Sequence, residues 1–268
     1  MSDVTQTASA EQQPETRSAG PVLARPRQHR SLVGYLFIPV LLGVTVLLLY
    51  LYVRGQELDT SEQNRLNAAS ITSNLVAHLQ VTVVTTVLVL VIAIPLGILL
   101  TRTFARFITP PAITVFNIGQ AVPSIGLIAL FAITWTIGFR PLVVALVAYT
   151  VLPVLRNTMV GLRQVDPSVI ESARGMGMTK ASVLLRIELP LAVPIIMAGL
   201  RTALTINVGT ATLGAFIGVG TLGEIIVAGF VQNSQLLILT GAVLVAVLAL
   251  LVDYLASIAE DQLRPRGL

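Results

Sequence analysis

Six stretches of this chain are each long and apolar enough to cross a bilayer, which takes about 20 mainly apolar residues. They cover residues 31–53, 75–100, 110–135, 141–161, 191–218 and 236–258. Hydrophobic residues make up 54% of the chain and charged residues 11%, against roughly 25% charged in an ordinary soluble domain. So apolar a chain of this size cannot hide its side chains in one soluble core. The expected fold class is therefore all-α, a polytopic membrane protein of about six transmembrane helices. Pro95, Pro123, Pro153 and Pro194 fall inside or near the spans, where neighbouring helices can satisfy the carbonyls they free.

Basic residues set the expected orientation. With the N-terminus inside, the inner side holds Arg17, Arg25, Arg27 and Arg30, then Arg102 and Arg106. It also holds Arg156, Arg163, Arg174, Lys180, Arg186, Arg264 and Arg266. The outer side holds Arg54, Arg65 and Arg140. This bias predicts cytoplasmic termini, and Tyr50, Tyr52 and Trp135 fall at outer helix ends, as an aromatic belt requires. Residues 1–30 read as a disordered cytoplasmic tail; the next apolar stretch is too long for a signal-peptide core and no A-x-A site follows it. Residues 31–74 form the first span and a polar outer loop with a short surface helix. Residues 75–260 form the main membrane domain, and 261–268 a second cytoplasmic tail. The net charge of +4 does not indicate nucleic acid, because the basic residues are dispersed between apolar spans. The chain has no cysteine, which removes thiolate metal sites and a Cys nucleophile.

The inner loop 163–190 interrupts this pattern with the charged run ESARGMGMTKASVLLRIELP from Glu171 to Pro190. Asp166-Pro167 is a helix-start signal, and Gly177 suits the left-handed position after a helix. The spacing predicts one helix from Pro167 to about Met176 and a second, capped by Thr179, through about Glu188, both outside the bilayer. Ser172, Ala173 and Gly175 are small enough for close approach to a partner. Met176 and Met178 can fill a cleft adaptably, and Glu171 and Arg174 share a helix face.

The pattern Glu171, Ser172, Ala173, Gly177, Ile187, Leu189, Pro190 resembles the EAA loop of permease subunits of bacterial ABC importers. The stretch 165–230, with QAVPSIGLIAL and LPVLRNTMVGL before it, resembles the glycine betaine/carnitine/choline permease family. The similarity covers roughly residues 70–260, and Ser172 stands where the motif more often has Ala. The resemblance implies a type I importer transmembrane domain that sits in a bacterial cytoplasmic (inner) membrane and forms the path for osmoprotectant quaternary ammonium solutes. It implies an ATPase-coupling loop of Glu171, Ser172, Ala173, Arg174, Gly175, Met176, Gly177, Ile187, Leu189 and Pro190. It also implies partners: two copies of an ABC ATPase subunit, a second permease subunit and an extracytoplasmic solute-binding protein. An ABC permease for another solute, or a secondary transporter, is the alternative.

No G-x-x-x-x-G-K-[ST] phosphate loop occurs. The chain is thus expected to be no enzyme and to carry no cofactor, with ATP and Mg on the partner ATPase, and no metal cluster or catalytic set is legible. Gly218–Gly223 matches G-x-G-x-x-G, but an apolar span precedes it and Val occupies position 243, so a turn or re-entrant bend is expected in place of a dinucleotide site. Gly214 and Gly218 read as a close-packing pair. Asn117, Gln120, Tyr149, Thr205, Asn207 and Thr210 are the candidate path residues, with Thr212 beside them. Arg201 and Asp253 are expected to pair, since an isolated charge in a span is costly. With 5% aromatics, the chain has few rings for a cation cage, so selectivity is expected mostly in the binding protein.

Overall fold

The computed structural model describes residues 32–263, with the side chains described from Tyr35 onward. The tail 1–30 and most of the tail 261–268 lie outside the described residues. The described residues form helices and turns, with no strand among them.

Helix α1 (Leu32–Arg54) is followed by the short α2 (Thr60–Leu66) and the long α3 (Ala68–Thr101). Helix α2 has a capping box: the Asp59 side chain takes an N3 amide, and the Asp59 amide donates to Glu62 at 3.0 Å. Asn67 caps α3 by accepting from the Ser70 amide at 2.8 Å. Then come α4 (Thr109–Ala121), α5 (Ser124–Thr134) and α6 (Phe139–Arg163). The expected straight span over 110–135 is broken: α4 and α5 meet at 91°. Pro123 lacks the amide to continue α4 and pushes Val122 out of the helical region, to ψ 129.

Beyond α6 lie α7 (Pro167–Gly175), α8 (Lys180–Val183), α9 (Leu189–Ala211), α10 (Gly223–Gln232) and α11 (Gln235–Leu263). Five helical segments are long and apolar enough to cross a membrane, and the bent α4–α5 pair makes a sixth. Helix α10, ten residues long, is a short apolar element that follows the glycine-rich turn and packs on α11. Gly218 adopts φ +74 after the 3-10 turn Thr212–Ile217. Gly223 packs so tightly that a Cβ there would lie 2.0 Å from the Thr212 carbonyl oxygen. The Gly214–Gly218 pair therefore divides: Gly214 abuts Leu142, and Gly218 makes the turn.

The core is a three-helix contact among α3, α6 and α9, flanked by α10 and α11. Its close approach depends on small residues: a Cβ at Gly97 would lie 2.7 Å from the Thr158 methyl, and one at Gly199 2.7 Å from the Asn157 Cβ. Leu100, Ala105, Leu155 and Met159 pack with α4 toward one end of the bundle. Val81, Ile128, Leu142 and Leu146 pack with α5 toward the other.

Candidate functional site

The charged loop is built as its caps dictate. Asp166 accepts from the Ser168 amide at 2.8 Å, and Pro167 opens α7. The Ser168 amide, and then its hydroxyl, hold the Asp166 carboxyl below its ordinary range. At the other end Gly177 adopts φ +86. Its amide donates to the Arg174 carbonyl at 3.0 Å, and the Met178 amide donates to Ala173 at 3.2 Å. That pair of bonds is a Schellman motif, which favours glycine. Helix α7 closes at Gly175, one residue before the expected end, with Met176 as its cap.

The loop residues divide by exposure. Glu171, Ser172, Arg174, Gly175 and Gly177 are exposed, and Met176 is 77% exposed. Ala173 is 1% exposed; it seats α7 on its own chain and does not face outward with the other small residues.

The second expected helix does not end at Glu188. Thr179 caps it, accepting from the Ser182 amide at 3.2 Å. The helix then runs from Lys180 through a π-helical turn, Leu184–Glu188, into α9 without a break. Ile187, Leu189 and Pro190 are thus half-buried residues of one continuous rod. The turn widens where the Leu189 amide reaches back to the Leu184 carbonyl. It lies directly before Pro190, whose ring would press on the Arg186 carbonyl of a regular helix. Glu188, unremarked as a site in the sequence, is buried and ion-paired to Arg102 at the end of α3, at 2.6 Å. An acidic residue bordering an apolar run was its one signal.

The rod leads to an open face. Helix α6 turns Asn157 and Gly161 toward α9 and Thr158 toward α3. At 100° per residue, Tyr149 and Arg156 then project to the side away from α3. Helix α9 turns Gly199 toward α6 and Asn207 toward α3, so Thr202 and Thr205, both exposed, project to that same side. Helix α4 borders it, where the Arg156 guanidinium donates to the Asn117 Oδ1.

Of the six path candidates, Asn117, Tyr149 and Thr205 share this face. Gln120 reaches it too, but its amide donates to the Tyr149 carbonyl at 2.9 Å. Asn207 lies elsewhere: it is fully buried and donates to the Thr86 hydroxyl at 3.2 Å, a helix–helix bond on the α3 side in place of a path contact. Thr210 is half-buried, turned toward α6. Arg156 and Thr202 belong to the face although the sequence did not single them out. Arg156 reads there as one of the inner-loop charges, yet it lies seven residues inside the end of α6. Arg201 pairs with Asp253 through two 2.9 Å contacts, as expected, and reaches Glu260 at 3.4 Å.

Comparison with known proteins assigns this architecture. The family of binding-protein-dependent transport system inner membrane components matches residues 93–265. The chain belongs to that family. Over 191 residues it is 41% identical to the choline transport system permease protein OpuBB of Bacillus subtilis, covering 71% of this chain and 87% of the relative. It is 36% identical over 222 residues to the osmoprotectant import permease protein OsmY of Salmonella typhimurium, covering 83% and 93%. It is also 42% identical over 176 residues to the carnitine transport permease protein OpuCD of Listeria monocytogenes, covering 65% and 78%. Among solved structures, an inward-facing MetNI methionine ABC transporter matches with a TM-score of 0.66 at 23% identity, over 74% of this chain and 98% of that one. An amino acid ABC transporter matches with a TM-score of 0.63 at 19% identity, over 77% and 100%. This binding-protein-dependent permease therefore has the fold of a type I ABC importer transmembrane subunit.

Proposed function

We propose that this permease imports osmoprotectant quaternary ammonium solutes (glycine betaine, carnitine or choline) with energy from a separate ATPase. The observation that carries the reading is the mechanical join between α7 and the open face. An exposed helix, capped at both ends, is joined by the short turn 176–179 to one unbroken rod that bears Thr202 and Thr205. A force applied to α7 reaches that face through this tight turn, closed by its Schellman bonds, and a single continuous helix.

In this reading two ATPase subunits engage α7 through Glu171, Ser172, Arg174, Gly175 and Met176. ATP and Mg bind there and not on this chain. Two permease subunits bring their open faces together around the path, and a solute-binding protein delivers cargo at the α1–α2 end. ATP binding draws the α7 segments together, and the π-helical turn with its Arg102–Glu188 pair passes the movement to α3 and α9. The α7 end, rich in exposed Arg and Lys, lies in the cytoplasm.

The test is uptake into proteoliposomes that hold the permease with its ATPase and binding protein. Glycine betaine or choline should accumulate when ATP is supplied. Uptake that persists without ATP under a proton gradient would point to a secondary transporter. Gly177→Val places a β-branched residue at φ +86, where left-handed backbone costs about 1–2 kcal/mol. It should lower uptake per ATP hydrolysed while the complex still assembles; an unchanged ratio removes α7 from coupling.

A further inference from the structure

We infer that Arg156, steadied by Asn117, is a carboxylate-recognition site on the open face. It favours solutes that carry a carboxylate beside the quaternary ammonium, such as glycine betaine and carnitine, over choline, which has a hydroxyl there. The inference rests on the transport reading above and adds a specificity residue to it.

Arg156 lies seven residues before the end of α6, and Asn117 eight residues after the start of α4. At 1.5 Å per residue Arg156 stands about 10 Å along α6 from its end, and its guanidinium is held there by Asn117 of α4. An exposed arginine at that depth is costly against lipid and must meet water or a polar partner. Its surroundings agree: Thr202 and Thr205 are exposed on the facing side of α9. The outward side of α3 nearer the α7 end, by contrast, is apolar: Val83, Val87, Leu88, Val91 and Ile92.

The missing counter-charge is the decisive point. Among the described residues, Arg156 has Asn117 as its hydrogen-bonding partner and no carboxylate. The acidic groups associated with the spans are engaged elsewhere. Glu188 holds Arg102, Asp253 and Glu260 hold Arg201, and Glu224 holds Arg65. Asp261 receives the Tyr35 hydroxyl. Asp166 and Glu171 lie out on α7. Among the described residues, a second copy of this chain therefore brings no free carboxylate to this depth either. What remains on the face is a donor array: the guanidinium N–H groups not used by Asn117, and the Asn117 amide nitrogen, whose oxygen is already occupied. Such a planar fork fits a carboxylate. A quaternary ammonium offers no N–H, so this array grips the other end of a zwitterionic solute.

The experiment compares glycine betaine with choline in proteoliposomes holding the whole complex, for wild type, Arg156→Gln and Arg156→Lys. Losing a charge-assisted bond should lower the ratio of glycine betaine to choline uptake about tenfold in Arg156→Gln, with partial recovery in Arg156→Lys. Where wild type carries glycine betaine alone, its loss in Arg156→Gln and return in Arg156→Lys, with the ATPase still assembled, supports the site equally. Equal losses for both solutes, no change in the ratio, or a wild type that carries choline alone overturn the inference. If Arg156→Gln fails to assemble, Asn117→Leu is read by the same ratio. A wild type that imports neither solute under ATP, in an assembled complex, overturns the osmoprotectant reading itself.

Discussion

Pro153 lies inside α6 and has no amide to give the Tyr149 carbonyl four residues earlier. That carbonyl is taken by Gln120 of α4 at 2.9 Å. The same repair occurs at Pro39 in α1, where the freed Tyr35 carbonyl accepts the Tyr254 hydroxyl of α11 at 2.8 Å. In an apolar surround each orphaned carbonyl would be costly. Gln120 is thus a structural partner of a proline before it is anything else, which the sequence did not reveal because the link joins positions 29 residues apart. Gln120→Ala should destabilise the detergent-solubilised protein by about 1 kcal/mol, the low end of the cost of an unpaired acceptor because the Tyr149 carbonyl is only half-buried. In a Pro153→Ala background the helix supplies its own amide, so the same change should cost little. Thermal unfolding of the four proteins checks this, and equal costs in both backgrounds would refute the repair. Asp166 has a different dependence. Its folded pKa is depressed by the Ser168 contacts, so its capping contribution is present above the ordinary Asp range and is lost as pH falls through the depressed value. Protection of the first-turn amides of α7, their exchange rate relative to an unstructured chain at the same pH, should fall in that acidic window, and Asp166→Ala should lower it at neutral pH and abolish its pH response.

The rod from Lys180 to Ile217 and the tip of α3 meet at one ion pair. Glu188 keeps 8% of its side chain exposed and Arg102 34%, so the pair is half-sheltered. Breaking a fully buried pair costs about 3–5 kcal/mol; exposure of Arg102 lowers the expected cost of Glu188→Ala to about 2 kcal/mol. The double variant Arg102→Ala/Glu188→Ala should be less destabilised than the sum of the singles, read as a double-mutant cycle in thermal unfolding. Additive effects would show that the two elements are joined by packing alone. This junction also marks where the sequence stops being legible at the element scale. Long apolar runs reveal α1, α3, α6, α9 and α11, because length alone commits them to a bilayer, though α3 begins seven residues before the expected 75 and α11 ends five after the expected 258, where polar turns extend the helices beyond their apolar stretches. Asp166, Gly177 and Thr179 give their turns away, because capping is local chemistry. The 91° bend, the π-helical turn and α10 do not announce themselves. Pro123, Pro190 and Gly223 mark the places, but the geometry at each is set by helices distant in sequence. The open face follows the same division: Thr205 and Asn117 are visible as polar residues in spans, while Thr202 goes unmarked and Arg156 passes for a loop charge until α6 is seen to continue beyond it.

At the scale of the molecule the broken span decides the topology. The tip of α3 meets the loop-side rod through Arg102, so α3 ends at the α7 end of the bundle. Helix α6 ends there too, since it leads into α7, and so must begin at the opposite end. The chain between them has to traverse the whole thickness. Helix α4 packs in the α7 half and α5 in the other; despite their bend they make one crossing between them. Six crossings follow, and the described chain begins and ends on one side. Tyr35 near its start meets Tyr254 of α11, and Tyr35 and Asp261 are in contact as well. The exposed Arg106, Arg163, Arg174, Lys180 and Arg186 lie at the α7 end, which the charge rule assigns to the cytoplasm. The chain has no cysteine, so a single introduced thiol reports its own side without background. A membrane-impermeant maleimide added to intact cells should label Gln56→Cys, between α1 and α2, and should reach Lys180→Cys only after the membrane is opened. Labelling of both from one side would mean that α4 and α5 re-enter without crossing, because an odd number of crossings between those positions becomes even. The reverse pattern would keep the six crossings and invert the molecule, putting α7 beyond the reach of any cytoplasmic ATPase.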